Sequence, residues 1–122
     1  MEEILLKKHD YLVIFHKYLL DSWKDTILNL NQQYSIYIIE AKLLIYKGLY
    51  IKNKEQYDIG LKDFMKYSTE SIELSNDIGV KIINLDFISN IYENSEGKRQ
   101  LALKLKQQYD KYILLGKKIF GI

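Results

Sequence analysis

The two histidines, His9 and His16, have the most versatile chemistry in this sequence, because imidazole acts near neutral pH both as a general base and as a metal ligand. They lie seven positions apart. On a helix this spacing separates them by two turns, whereas a shared metal ion favours ligands three or four positions apart. The spacing therefore indicates a helix flank or an interface, and we expect no metal site.

Two pairs of carboxylates have a spacing that suits acid–base chemistry. Asp21 and Asp25 are four positions apart, and Glu70 and Glu73 are three apart, so each pair would share one face of a helix. The polar faces of amphipathic helices produce such pairs routinely, and the six glycines form no phosphate-binding loop. The sequence thus predicts no catalytic residues, no cofactor and no enzymatic activity.

The composition predicts the kind of fold that holds these residues. The 122 residues include neither proline nor cysteine, which favours one all-helical domain over residues 1–122 without disulfides or thiolate metal sites. The most apolar stretch, residues 34–50, contains Glu40, Lys42 and Lys47, and a membrane span needs about 20 predominantly apolar residues. The N-terminal residues lack the apolar segment of a signal peptide. We therefore expect a soluble cytoplasmic protein that does not insert into membranes.

The spacing of the apolar residues predicts about five helices, over residues 3–30, 33–51, 54–75, 80–93 and 98–120. Short connections make successive helices antiparallel neighbours. In the first helix the inward face is expected to extend to Ile27 and Leu30, with Asn29 and Asn31 marking its end or a kink. The second helix is apolar almost all round, which predicts a place at the centre of a bundle or at an interface, including a homodimer interface.

The segment YDIGLKDF at residues 57–64 resembles the opening of a tetratricopeptide repeat, in which aromatic residues flank a small residue beside leucine. In that family the small residue lets two helices approach closely, while the aromatic rings fill the groove between them. The resemblance implies that residues 33–120 form two stacked helical hairpins. Gly60 and Leu61 reverse the order of the family motif, and a plain helical bundle remains the alternative architecture.

The eleven tyrosines are the most unusual feature of the composition. Tyrosine buries a large ring while its hydroxyl seeks a polar partner, so it is common at the edges of cores and in binding surfaces. Five tyrosines near the second and third helices are the candidate binding residues, as a groove or a dimer face: Tyr34, Tyr37, Tyr46, Tyr50 and Tyr57.

Positive charge is concentrated toward the C-terminus, where residues 96–122 contain seven basic and two acidic side chains. Lys104, Lys111 and Lys118 recur every seven residues and form one stripe on the last predicted helix. The stripe indicates a solvated outer face, a surface for an acidic partner, or nonspecific attraction to nucleic acid or anionic lipid. Only one of the eighteen basic residues is arginine. Because nucleic-acid recognition relies on arginine, we expect no specific nucleic-acid binding.

These observations favour a non-catalytic, all-α module that binds a protein or peptide along a face bordered by the second and third helices. Self-association through the apolar second helix is a plausible companion property. The alternative is a small bacterial or phage regulator, of the immunity or antitoxin-like kind, that inhibits an enzyme by binding it.

Overall fold

The computed structural model describes residues 2–74 and 95–121, and these ranges contain helices and no strand. The helices are α1 (Glu2–Trp23), α2 (Leu30–Tyr50), α3 (Lys54–Leu74) and α4 (Ser95–Phe120). The all-helical prediction is confirmed. The described residues hold four helices where about five were predicted for the whole chain, and the helix predicted over residues 80–93 lies outside them.

The first helix is shorter than predicted. It ends at Trp23, where the Thr26 N–H donates to the Trp23 carbonyl oxygen at 3.1 Å. Asn29 begins the next helix, because its side chain accepts the Gln32 N–H at 2.9 Å and the Gln32 side chain accepts the Asn29 N–H at 3.0 Å. Such a capping box is the arrangement that asparagine favours over a helix interior. Ile27 consequently lies in the connection, 98% exposed, and not on an inward face.

The second helix, α2, is the centre of the bundle. It packs against α1, α3 and α4, whereas α1 contacts neither α3 nor α4 within the described residues. Its Ile38, Ile39, Ile45 and Leu49 are buried almost completely. The apolar surface that predicted either a bundle centre or a dimer face is therefore largely covered by the chain's own helices.

A tight turn joins α2 to α3. The Asn53 N–H donates to the Gly48 carbonyl oxygen at 2.8 Å, and Lys52 adopts a left-handed φ of 58°. This is the Schellman pattern that closes a helix C-terminus. The Asn53 side chain then accepts the Gln56 N–H at 3.2 Å and starts α3. The turn thus lies between the second and third predicted helices, and α3 begins directly after it at Lys54.

Two glycines allow the backbones of α2 and α3 to pack closely. A Cβ atom added to Gly48 would lie 2.5 Å from the Tyr57 backbone nitrogen, and one added to Gly60 would lie 2.7 Å from the Ile45 backbone nitrogen. No real side-chain carbon fits at such distances. Gly60 therefore has a packing reason to occupy a helix interior, where glycine otherwise costs about 1 kcal/mol relative to alanine.

The core is continuous from α1 to α4. Leu5, Leu12 and Leu19 supply the buried stripe of α1. On the other side of α2, the Tyr112 ring of α4 contacts the rings of Tyr46 and Phe64 edge to face, with centroids 5.5 and 5.3 Å apart. These geometries are the ones that aromatic pairs prefer. None of the described helices has the length and hydrophobicity needed to cross a bilayer.

Candidate functional site

His16 links α1 to α2, whereas His9 lies beside its neighbour on α1 itself. His16 Nε2 lies 3.2 Å from the Glu40 Oε2 atom of α2, and His9 Nδ1 lies 3.8 Å from its neighbour Asp10. Within residues 2–74 and 95–121, no group of three or more histidine, cysteine, aspartate or glutamate side chains is arranged to hold a metal ion.

The fold separates one of the two carboxylate pairs, whereas Glu70 and Glu73 both lie on α3. Because α1 ends at Trp23, Asp25 lies in the connection and does not share a helix face with Asp21, contrary to the prediction. In α3, Glu70 accepts a hydrogen bond from the Tyr34 hydroxyl at 2.8 Å. Glu70 thus links α3 to α2.

Tyr34 and Tyr37 meet a third tyrosine, Tyr67 of α3, in a cluster that we call the tyrosine cluster. Ring centroids are 5.7 Å apart for Tyr34 and Tyr37, and 5.0 Å apart for Tyr37 and Tyr67. Burial, followed by the hydrogen bond to the Glu70 carboxylate, raises the pKa of the Tyr34 hydroxyl. Tyr37 is the most exposed ring of the three. The rings and the Tyr34 hydroxyl therefore already have partners within the chain.

The remaining candidate tyrosines belong to the core. Tyr46 and Tyr57 are buried, and Tyr50 is half-buried against the same core. A ligand at the surface therefore cannot contact Tyr46 or Tyr57 directly. The five predicted tyrosines do not line one groove, because the fold divides them between the tyrosine cluster and the interior.

Tyr57 connects α3 to α4. Its side chain is 1% exposed, and its hydroxyl donates to the Tyr112 carbonyl oxygen at 2.7 Å. Gly116 faces the end of the ring, where an added Cβ atom would overlap the hydroxyl. Burial is the main cause that raises the pKa of Tyr57 to about 12, with smaller contributions from Asp58 and Tyr109. The residue locks two helices together and is not available as a binding group.

The lysine stripe lies on α4, where Lys111 and Lys118 are exposed and Lys104 is half-buried and in contact with other groups. With 100° per residue, these lysines occupy the side of the helix opposite Leu105 and Tyr109. The structure therefore does not bring the lysines together with the tyrosines of α2.

A cleft between α3 and α4 is a concave site of the described chain that the sequence did not predict. It has a volume of about 340 Å³ and mostly apolar walls. From α3 come Phe64, Met65, Ser68, Thr69 and Ile72, and from α4 come Ala102, Leu105, Lys106, Tyr109 and Asp110.

One polar group in the wall of this cleft has no partner within residues 2–74 and 95–121. Ser68 is 6% exposed, and its hydroxyl makes no hydrogen bond with any described residue, although the neighbouring Ser71 hydroxyl donates to the Ser68 carbonyl oxygen at 2.9 Å. A buried polar group without a partner is uncommon and costs about 1–3 kcal/mol. The sequence signal for this site was the pair of small polar residues, Ser68 and Ser71, on the inward face of a helix.

The mouth of the cleft carries both charge signs. Lys106 and Asp110 are exposed and form an ion pair at 2.8 Å between positions four apart on α4. Met65 is about half exposed on the opposite side. An apolar floor with a few polar groups at the edge is the usual composition of a ligand site.

Comparisons with known proteins provide no relative. No protein-family model matches the chain, no curated protein matches it, and no solved structure matches it. The surfaces of the all-α bundle, and the side chains that they present, therefore carry the evidence for its function.

Proposed function

We propose that this protein is a non-catalytic helical module that binds an apolar segment of a partner protein in the cleft between α3 and α4. The observation that carries the proposal is the combination, in one concave site, of an apolar volume of about 340 Å³ and the unpartnered hydroxyl of Ser68. The tyrosine cluster lacks this combination, because its rings contact one another and the Tyr34 hydroxyl is bonded to Glu70.

The size of the cleft limits its ligand. Its volume lies near the lower end of the range of about 300–1,000 Å³ that is usual for ligand sites. That is enough room for a few aliphatic or aromatic side chains. The walls supply mainly dispersion and hydrophobic contacts, and Met65 can adapt its flexible thioether to different shapes.

The geometry suits a helical ligand. Two helices with a groove between them receive a third amphipathic helix through apolar anchors at positions i, i+3 or i+4 and i+7. Lys106 and Asp110 at the mouth offer one charge of each sign to the polar edge of such a helix. The Ser68 hydroxyl is almost fully covered by the chain. A polar atom in the cleft can bond to it only where the wall gives way, and that bond would remove the cost of its isolation.

The proposal is tested with a displayed library of amphipathic helical peptides, selected against the purified protein. We expect enrichment of helices that carry two or three large apolar residues on one face. Ala102→Trp fills the cleft from α4 and is expected to weaken binding of the selected peptides at least tenfold. Lys111→Ala, an exposed position on the opposite side of α4, is the control and should leave binding unchanged.

Two results would contradict the proposal. One is a library that yields no enriched helix, and the other is a set of enriched helices that bind the Ala102→Trp protein as tightly as the wild type. Circular dichroism of the variant establishes that it is folded, so that a loss of binding is assigned to the filled cleft.

A further inference from the structure

The outward face of α1 carries an apolar stripe that no part of the described chain covers. Ile4, Tyr11, Ile14 and Tyr18 are 71%, 51%, 66% and 63% exposed. Their steps of seven, three and four residues place them on one face of the helix, in the pattern of a coiled-coil seam. The buried Leu5, Leu12 and Leu19 lie on a different face of α1, centred roughly 115° away, and pack on α2. The helix therefore exposes apolar side chains beyond its packed face, in this stripe and in a separate row of Leu6, Val13 and Leu20.

We propose that this outward stripe is a homodimer interface, in which α1 of one copy packs antiparallel against α1 of a second copy. The two copies would be related by a twofold axis passing near Ile14. Tyr11 of each copy would then lie near Tyr18 of the other, and the two Ile14 side chains would meet at the centre. A twofold axis makes the same patch serve both subunits, as most homodimers do.

The order of charges along the stripe favours a second copy of the chain, in antiparallel orientation, as the partner. Lys7 lies seven residues before Ile14, and Asp21 lies seven residues after it. An antiparallel arrangement centred on Ile14 places each Lys7 opposite the Asp21 of the other copy, whereas a parallel arrangement places like charges together.

A second pair on the edge of the stripe follows the same rule. Asp10 lies four residues before Ile14, and Lys17 lies three residues after it, so the antiparallel arrangement also brings Asp10 near Lys17. All four charged side chains are exposed. The face is thus complementary to a reversed copy of itself.

The extent of the stripe is consistent with a small dimer interface. The four apolar side chains expose on the order of 500 Å² per copy, judged from the area that side chains of this size present. This is as large as the largest apolar patches on ordinary monomers, which are often functional. With the flanking charged side chains included, the face approaches the roughly 800 Å² per partner of a standard interface. α1 does not contact α3 or α4 in the described chain, so this dimer leaves the α3–α4 cleft open and does not depend on the proposed function.

The first test is sedimentation of the full chain over a range of concentrations. We expect a dimer that dissociates on dilution, and Ile14→Glu should make the protein monomeric at concentrations where the wild type is dimeric. Val13→Glu is the matched control, because Val13 is 45% exposed on the same helix but about 100° away from Ile14. A monomeric wild type, or a Val13→Glu protein affected as strongly as Ile14→Glu, overturns the proposal.

The second test examines the antiparallel orientation through charge reversal. Lys7→Asp and Asp21→Lys should each weaken their own homodimer about tenfold, since two attractive pairs become repulsive. An equimolar mixture of the two variants restores both attractive pairs, because one copy then carries aspartate at both positions and the other carries lysine at both. Native mass spectrometry should show the mixed dimer in excess over both homodimers. In a parallel dimer Lys7 would not face Asp21, so variants whose own homodimers are as tight as the wild type refute the antiparallel pairing, as does a mixture that forms only homodimers or no dimers at all.

Discussion

Replacement of Gly48 by alanine should destabilise the protein, although the same change stabilises most helices. Gly48 lies in the last turns of α2, and its missing side chain faces the start of α3. A new Cβ atom would be 2.5 Å from the Tyr57 backbone nitrogen and 2.8 Å from the Tyr57 Cα atom. Ordinary van der Waals contact begins at 3.4 Å, so the two backbones must separate by about 0.9 Å, which is 3.4 minus 2.5.

The size of the effect follows from two opposed contributions. In a helix interior, alanine is favoured over glycine by about 1 kcal/mol. Overpacking against atoms that cannot move costs about 3 kcal/mol, the upper part of the usual range. Tyr57 cannot retreat easily, because its hydroxyl is bonded to the Tyr112 carbonyl oxygen and its ring end meets Gly116. The net loss in the free energy of unfolding should therefore be about 2 kcal/mol.

Urea denaturation followed by circular dichroism measures this loss, and thermal unfolding should show a midpoint about 8 °C lower for a chain of this length. Lys47→Ala is the matched control, since Lys47 is the exposed neighbour of Gly48 on the same helix, and it should change the stability by less than about 0.5 kcal/mol. If Gly48→Ala is as stable as the wild type, or more stable, the close approach of α2 and α3 is not the reason for this glycine.

Substitutions at four further positions test other contacts. Asn29→Ala removes the capping box of α2 and should cost about 1 kcal/mol in urea denaturation, whereas Asn29→Ser should retain most of the stability. The hydroxyl of Tyr57 has a pKa of about 12 when folded and 10.0 as its ordinary value, so the folded state holds its proton to higher pH than the unfolded state does. The contribution of this hydroxyl to the free energy of unfolding is therefore complete below pH 10.0. It declines by about 2–3 kcal/mol as the pH rises toward 12, because the unfolded state loses the proton first. Tyr57→Phe should abolish that part of the decline. Ser68→Ala removes an unpartnered hydroxyl and should be neutral or stabilising, whereas Ser71→Ala breaks a hydrogen bond to the Ser68 carbonyl oxygen and should cost about 1 kcal/mol in the same assay.

The helices themselves could be predicted from the sequence, because apolar periodicity is a strong and local signal. The third helix begins where it is predicted, at Lys54. The second helix is apolar on almost every face, which predicts either the centre of a bundle or an interface. In the structure it is the central helix. The predicted end of the first helix is wrong because of Asn29. An asparagine after an apolar stretch can end one helix or cap the next, and here it caps α2.

The binding surfaces were harder to predict, because they depend on which faces the bundle covers. Tyr34 and Tyr46 are equally plausible surface residues by type, yet one joins the tyrosine cluster and the other lies in the core. The cleft between α3 and α4 depends on how two helices distant in sequence pack, which no local pattern specifies. Ser68 marked it only weakly, as a small polar residue on an inward face.

The arrangement around α2 separates the two proposed surfaces. One lies on α1 and the other lies between α3 and α4, and within the described residues α1 has no contact with either of those helices. Each proposed interaction should therefore survive the loss of the other.

This independence gives a sharp expectation for the two interface variants. Ile14→Glu should abolish the dimer and leave peptide binding by the cleft unchanged, whereas Ala102→Trp should abolish peptide binding and leave the dimer unchanged. Titration of a selected peptide, together with sedimentation of both variants, measures the two properties in parallel. A folded variant that loses both the dimer and peptide binding would show that the two surfaces are coupled through α2. The two sites would then share a coupling free energy and would not be independent.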